Sequence, residues 1–154
     1  VSFLLDRRVA SLLRIGLGVL FLAAAVPKLQ DPAGFAKAIE NYRMLPVGAE
    51  RALAVVLPAV ELVVGVLLVA GAIDAGASLL ALVLLVVFTG AVGVALARGL
   101  DFTCGCFGTG DGTRAGTGKV LENLALIAVA LAVWRGDRSW LSLRGWLARR
   151  GDIE

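Results

Sequence analysis

Four long apolar stretches, at about 9–26, 48–73, 75–97 and 119–134, alternate with short or polar connectors. A helix needs about 20 mostly apolar residues to cross the hydrocarbon core of a bilayer. Only helices and closed barrels satisfy every backbone group inside lipid. The pattern therefore predicts an all-α integral membrane protein, a four-helix bundle forming one domain over residues 1–154. Pro27 is expected to end or kink the first span. Pro58, inside the second, removes one backbone hydrogen bond and bends it. Spans two and three are joined only by Asp74 and its neighbours, so they form an antiparallel hairpin.

The connector at 28–46 has a helical period of its own. Phe35, Ile39 and Tyr42, with Ala36 and Ala38, recur on one side, while Lys37, Glu40 and Arg43 lie elsewhere on the wheel. This predicts a short interfacial helix between spans one and two. Asp31-Pro32 has the form of its start, a capping residue followed by the proline favoured in a first turn. The tail at 135–154 sets Trp140, Leu141, Leu143, Trp146 and Leu147 among arginines, and reads as a second interfacial segment.

Composition supports the membrane reading, with 59% hydrophobic residues against about 45–50% in soluble domains. The net charge of +3, from 15 basic and 12 acidic residues, is ordinary for a membrane protein and gives no argument for nucleic acid. The N-terminal run, Arg7-Arg8 followed by apolar residues and Ala23-Ala24-Ala25, has some features of a signal peptide. Arg14 and Pro27-Lys28-Leu29 read better as a retained helix and its exit. An even number of spans puts both ends on one side. Basic residues are nearly balanced between Arg7, Arg8, Arg14 and the tail on one side and Lys28, Lys37, Arg43, Arg51, Arg98, Arg114 and Lys119 on the other. The expected arrangement is an inner (plasma) membrane protein with both termini cytoplasmic. The loop between spans three and four is then extracytoplasmic, where disulfides persist.

That loop holds both cysteines, in Asp101-Phe102-Thr103-Cys104-Gly105-Cys106-Phe107-Gly108. The chain has no histidine, so these thiols are its conspicuous reactive groups. A Cys-x-Cys disulfide closes only if the backbone bends away from ideal geometry, and strained disulfides are the more easily reduced ones. Gly105 permits that bend. The pair reads as a membrane thiol–disulfide oxidoreductase centre exchanging with a soluble partner. Two other readings stay open: a soft-ion site, since paired thiolates suit Cu(I), and an assembly subunit whose cysteines are incidental. No metal site is assigned, because a closed zinc site needs four ligands. No cofactor is required. With a single pair, either a quinone meets Cys104 and Cys106 near the interface or electrons pass between protein partners.

Glu61 lies near the middle of span two. A carboxyl there is costly in lipid and is expected to face the bundle interior. It is a candidate proton carrier for the thiol chemistry, or a structural hydrogen-bonder. Lys28 closes span one and either pairs with Glu61 or snorkels to the headgroups. Arg98 and Asp101 flank the cysteines, where a cation lowers a thiol pKa and an anion raises it. Asn123, at the start of span four, is a candidate for bonding across helices. Gly16, Gly18, Gly65, Gly90 and Gly93 are expected to let helices approach closely.

Several blocks carry a family likeness: Lys28-Leu29-Gln30-Asp31-Pro32 with Phe35, Ala38-Ile39-Glu40-Asn41-Tyr42-Arg43, Leu45-Pro46, Leu57-Pro58 with Glu61-Leu62 and Gly65, and Arg98-Gly99-Leu100-Asp101 leading into Cys104-Gly105-Cys106-Phe107-Gly108. Over residues 14–134 the chain resembles the MauE branch of the DoxX-like membrane proteins. The resemblance implies a four-helix membrane bundle and a periplasmic thioredoxin-like partner. It further implies disulfide handling during maturation of methylamine dehydrogenase. Cys104 and Cys106 carry the exchange, with Glu61 beside them in the chemistry. Lys28, Tyr42, Arg43, Arg98, Asp101, Phe107 and Asn123 become candidates for binding the partner or substrate. The family pattern has an Arg-Asn pair at the start of span four, where this chain has Glu122-Asn123.

Overall fold

The computed structural model describes residues 7–71, 74–100 and 116–136. They form five helices, α1 (Arg7–Gln30), α2 (Pro32–Glu40), α3 (Ala49–Ala70), α4 (Asp74–Ala97) and α5 (Thr117–Gly136), with no strand among the described residues. All but α2 are long and apolar enough to cross a membrane. The chain is a multi-pass membrane protein. The expected tail segment beyond 136 lies outside the described residues.

Helix α1 runs through Pro27 and ends at Gln30, so the proline does not stop the span. A helix proline frees the carbonyl four residues earlier, and neighbouring helices make that tolerable inside a bundle. The break comes at Asp31. Its Oδ1 accepts the Gly34 N–H at 2.9 Å, which starts α2, and Pro32 occupies the first turn. α2 buries Phe35, Ala38 and Ile39 against Ala54 and Leu57 of α3. Its apolar face is therefore turned onto protein.

The most extensive packing is between α1 and α3. Gly18 and Gly65 bring them together. A Cβ on Gly18 would stand 2.8 Å from Val69 Cγ2 and 2.9 Å from the Gly65 carbonyl; one on Gly65 would stand 2.8 Å from Leu22. Gly16, Gly90 and Gly93, expected to serve the same end, instead face open space, with nothing within 4 Å of where a methyl group would stand. The core below this crossing joins Leu17 and Phe21 to Val64, Leu68, Ala81 and Ala130.

Two glycines with positive φ set helix exits. Gly71 (φ 62) closes α3 and donates to the Leu67 carbonyl at 2.9 Å. The guanidinium of the fully buried Arg14 lies over it, and a Cβ there would collide with that group. Gly99 (φ 69) closes α4: its N–H bonds to Leu96 O at 2.9 Å, and Leu100 N–H bonds to Ala95 O at 3.1 Å. This pair of bonds is the Schellman arrangement, and it aims the chain toward residue 101. Because the spans alternate in direction, the C-terminal ends of α1 and α4 share one end of the bundle with α2 and the N-terminal ends of α3 and α5.

Gly18→Ala is expected to cost about 1–3 kcal/mol through overpacking against backbone. Gly90→Ala, in open space, is expected to gain up to about 1 kcal/mol from helix propensity. Thermal unfolding of the two variants in the same detergent checks this; equal shifts would contradict the close crossing.

Candidate functional site

Lys28 and Glu61 meet inside the bundle. Lys28 Nζ lies 2.8 Å from both Oε1 and Oε2 of Glu61, and the two side chains are only 2% and 11% exposed. Glu61 sits roughly 18 Å along α3 from its first residue, at about 1.5 Å per residue. Lys28 reaches it because α1 ends well short of the level at which α3 begins. Of the two expectations for Lys28, pairing is therefore realised and snorkelling is not.

Aromatic rings complete the surroundings of the ammonium. It stands 5.1 Å from the Phe35 ring centroid and 6.0 Å from that of Phe88, distances at which a ring face attracts a cation. Phe88 in turn meets Tyr42 edge to face, with centroids 6.4 Å apart. Tyr42 is buried among Val92 and Ala95 of α4, with Leu100 and Val120 beside them. Burial pushes its phenol up to about 12 from the ordinary value of 10. Next to it, Arg43 adopts φ 50, a left-handed conformation that side chains seldom take. Its carbonyl accepts a hydrogen bond from Arg98 Nη1 at 3.2 Å. Side chains and backbone thus connect Arg98, at the exit of α4, to the Lys28–Glu61 pair.

A cavity of about 60 Å³ opens beside that pair. At roughly 10–15 Å³ of such volume per molecule, it has room for a few waters. α1 contributes Phe21 and Lys28, α3 Leu57 and Glu61, α4 Leu84 and Phe88, and α5 Lys119, Glu122, Asn123 and Leu126. Lys119 is buried and holds Glu122 at 2.9 Å. Glu122, where the family pattern led us to expect arginine, is therefore the partner of a buried cation on its own helix. Asn123 is 4% exposed.

Lys28, Glu61 and Asn123 share the cavity, while Tyr42, Arg43 and Arg98 form the chain of contacts above it. Cys104, Cys106, Asp101 and Phe107 lie outside the described residues. Sequence reading missed Lys119, Phe88 and the burial of Arg14. The spacing of Lys119 and Glu122 was a usable signal, since residues three apart share a helix face. Nothing in the sequence distinguished Phe88 from an ordinary lipid-facing aromatic.

Residues 6–136 match the family described as methylamine utilisation protein MauE. The chain belongs to the MauE family. A methylamine utilization protein MauE from Paracoccus denitrificans is 41% identical over 136 residues, covering 88% of this chain and 73% of the relative. The one from Paracoccus versutus is 42% identical over 120 residues, covering 77% and 64%. A more distant MauE, from Methylophilus methylotrophus, is 31% identical over 134 residues, covering 86% and 70%. No solved structure matches the chain. The MauE match takes in all five described helices and the cysteine segment between α4 and α5.

Lys28→Met or Glu61→Leu leaves its partner's charge buried alone, with an expected loss of about 3–5 kcal/mol. The double variant is expected to lose much less than the sum. A double-mutant cycle by reversible unfolding in mixed micelles checks the coupling, and strictly additive losses would argue against the pair.

Tyr42 is the one tyrosine in the chain, so phenolate absorbance reports it alone. The neutral phenol is favoured on folding. Its contribution to stability is complete below the unfolded value of about 10 and is lost as pH rises through about 12. The expected phenolate transition is therefore close to 12, and Phe88→Ala should move it down. Titration of the native protein near 10 would show that Tyr42 is hydrated.

Proposed function

We propose that this MauE-family chain is a membrane thiol–disulfide oxidoreductase that exchanges with an extracytoplasmic thioredoxin-like protein through Cys104 and Cys106. The observation that supports this most directly is the Cys-Gly-Cys sequence in the segment joining α4 to α5. That segment leaves and re-enters at the end of the bundle toward which the Lys28–Glu61 cavity lies. One thiolate attacks the partner's disulfide, or, in the reverse direction, the partner's thiolate attacks a Cys104–Cys106 disulfide; either way a mixed disulfide forms and one thiolate leaves. The second thiol of the attacking pair resolves that intermediate, so two electrons pass and one disulfide is exchanged for another. The names of the relatives tie them to methylamine utilisation, and an accessory role in maturing a disulfide-containing enzyme of such a system fits an exchanger of this kind.

Protons move with the electrons. Glu61 and Lys28, with Lys119 and Glu122, line a cavity with room for water. In this reading they hold or relay the protons that the thiols release. The inner membrane is the location, with the termini cytoplasmic and the cysteine segment on the opposite, oxidising side.

The test is to express Cys104→Ser and Cys106→Ser singly and look for trapped mixed disulfides on nonreducing gels. One variant is expected to trap a thioredoxin-like protein and the other not. Glu61→Gln keeps an acceptor for Lys28 and is expected to fold while slowing exchange by about tenfold or more, within the range for a positioned acid or base. If neither serine variant traps a partner, and a double Cys→Ala chain still supports partner maturation, the protein is an assembly subunit.

A further inference from the structure

The cavity has features that thiol exchange alone does not require. Asn123 is 4% exposed, and its Nδ2 makes no hydrogen bond to any of the described residues. A buried donor left unmade costs about 1–3 kcal/mol, so the wall of the cavity carries a donor with no partner among the described residues. Two ion pairs line it, Lys28 with Glu61 and Lys119 with Glu122. Such a site selects neither an anion nor a cation. Leu57, Leu84 and Leu126 give it apolar walls, and Phe88 lines it with an aromatic ring. Leu84, Leu126 and Phe88 are all half-exposed, and they belong to membrane-spanning helices. The approach is therefore from lipid.

We propose that this cavity binds the headgroup of a lipid-soluble quinone, with a ring carbonyl accepting from Asn123 Nδ2 and the ring lying against Phe88. A quinone is neutral, planar, rich in acceptor oxygen and delivered by the bilayer, which are the four properties the site selects for. A glycerolipid ester shares the carbonyl and the apolar chain but has no ring for Phe88 to face.

The redox meaning of the site rests on the function proposed above, whereas binding does not. In that setting the Cys104–Cys106 dithiol and quinone give disulfide and quinol. Two electrons and two protons leave the thiols and end on the two quinone oxygens; the reverse transfer restores both.

The experiment uses the full chain with both cysteines changed to serine, so that a failure of thiol exchange cannot mask binding. The protein is placed in quinone-free phosphatidylcholine nanodiscs and photolabelled with an azido-ubiquinone analogue. Ubiquinone-1 and additional phosphatidylcholine serve as separate competitors, and labelled peptides are mapped by mass spectrometry. Saturable labelling of α4 or α5 that ubiquinone-1 displaces is expected. Asn123→Leu should weaken it about tenfold, the weight of one hydrogen bond. Leu126→Trp, which fills the cavity without removing a polar group, should abolish it, while Gly90→Ala should leave it unchanged. Nonsaturable labelling, or labelling that neither cavity variant alters, overturns the proposal. Displacement by phosphatidylcholine as effective as that by ubiquinone-1 overturns it in favour of a lipid ester site.

Discussion

The contact between Lys28 and Glu61 joins the end of one span to the middle of another, and much of the architecture depends on that offset. A cation two residues from the end of α1 meets a carboxylate halfway down α3 only if α1 stops early. The N-terminal turns of α3 are then left without α1 as a neighbour. α2 covers them, burying Phe35 and Ile39 against Ala54. The turn after α2 delivers Tyr42 to α4 and the Arg43 carbonyl to Arg98. The ring of Phe35, on α2, also faces the Lys28 ammonium, so the helix that the offset calls for helps to stabilise the charge that creates it.

Taking two charges out of water is expensive, and the gain in Coulomb energy seldom exceeds the loss. Packing contributes the rest. Helices in lipid are not driven together by the hydrophobic effect, since acyl chains are as apolar as leucine; close contact and polar bonds hold them. Gly18 and Gly65 let the α1 and α3 backbones approach to within a Cβ of each other. That crossing fixes the height of α1 against α3, and so brings Lys28 within reach of Glu61. At the opposite end of the same helix pair, Arg14 rests over Gly71, so α1 is registered against α3 at three levels.

The four spans were legible because a bilayer demands long apolar runs and little else resembles them. Helix ends were legible where a residue's chemistry marks them, as at Asp31-Pro32, and left open where it does not, as at Pro27, which was expected to end or kink the span and which the helix runs through. Close-packing glycines could not be told from lipid-facing ones. Gly18 and Gly90 look alike in sequence, and only the rotation of the helix decides which meets a neighbour. The same limit explains the charged residues. Arg14 and Lys119 read as boundary charges, because position along a helix shows depth but not direction. Glu61 was readable because a carboxylate at midspan has few tolerable orientations, and Lys28 was its nameable partner without the offset that decides the matter. The cysteine pair was identified from its chemistry, and its geometry lies outside the described residues.

A thiol exchanger set in a membrane must keep its reactive pair accessible to a soluble partner while giving electrons and protons a route that lipid does not offer. In the proposed role, the helix ends would separate those needs. Gly99 closes α4 ahead of the cysteines, which fall in sequence between α4 and α5. Arg98 stays behind at the helix end, bonded to the Arg43 carbonyl. Beside Arg43, Tyr42 rests its ring on Phe88. Phe88 touches both the ammonium of Lys28 and the cavity. The aromatic pair thus connects the end of α4 to the buried charges. Phe and Tyr make that connection through rigid rings without adding a further charge beside the two ion pairs.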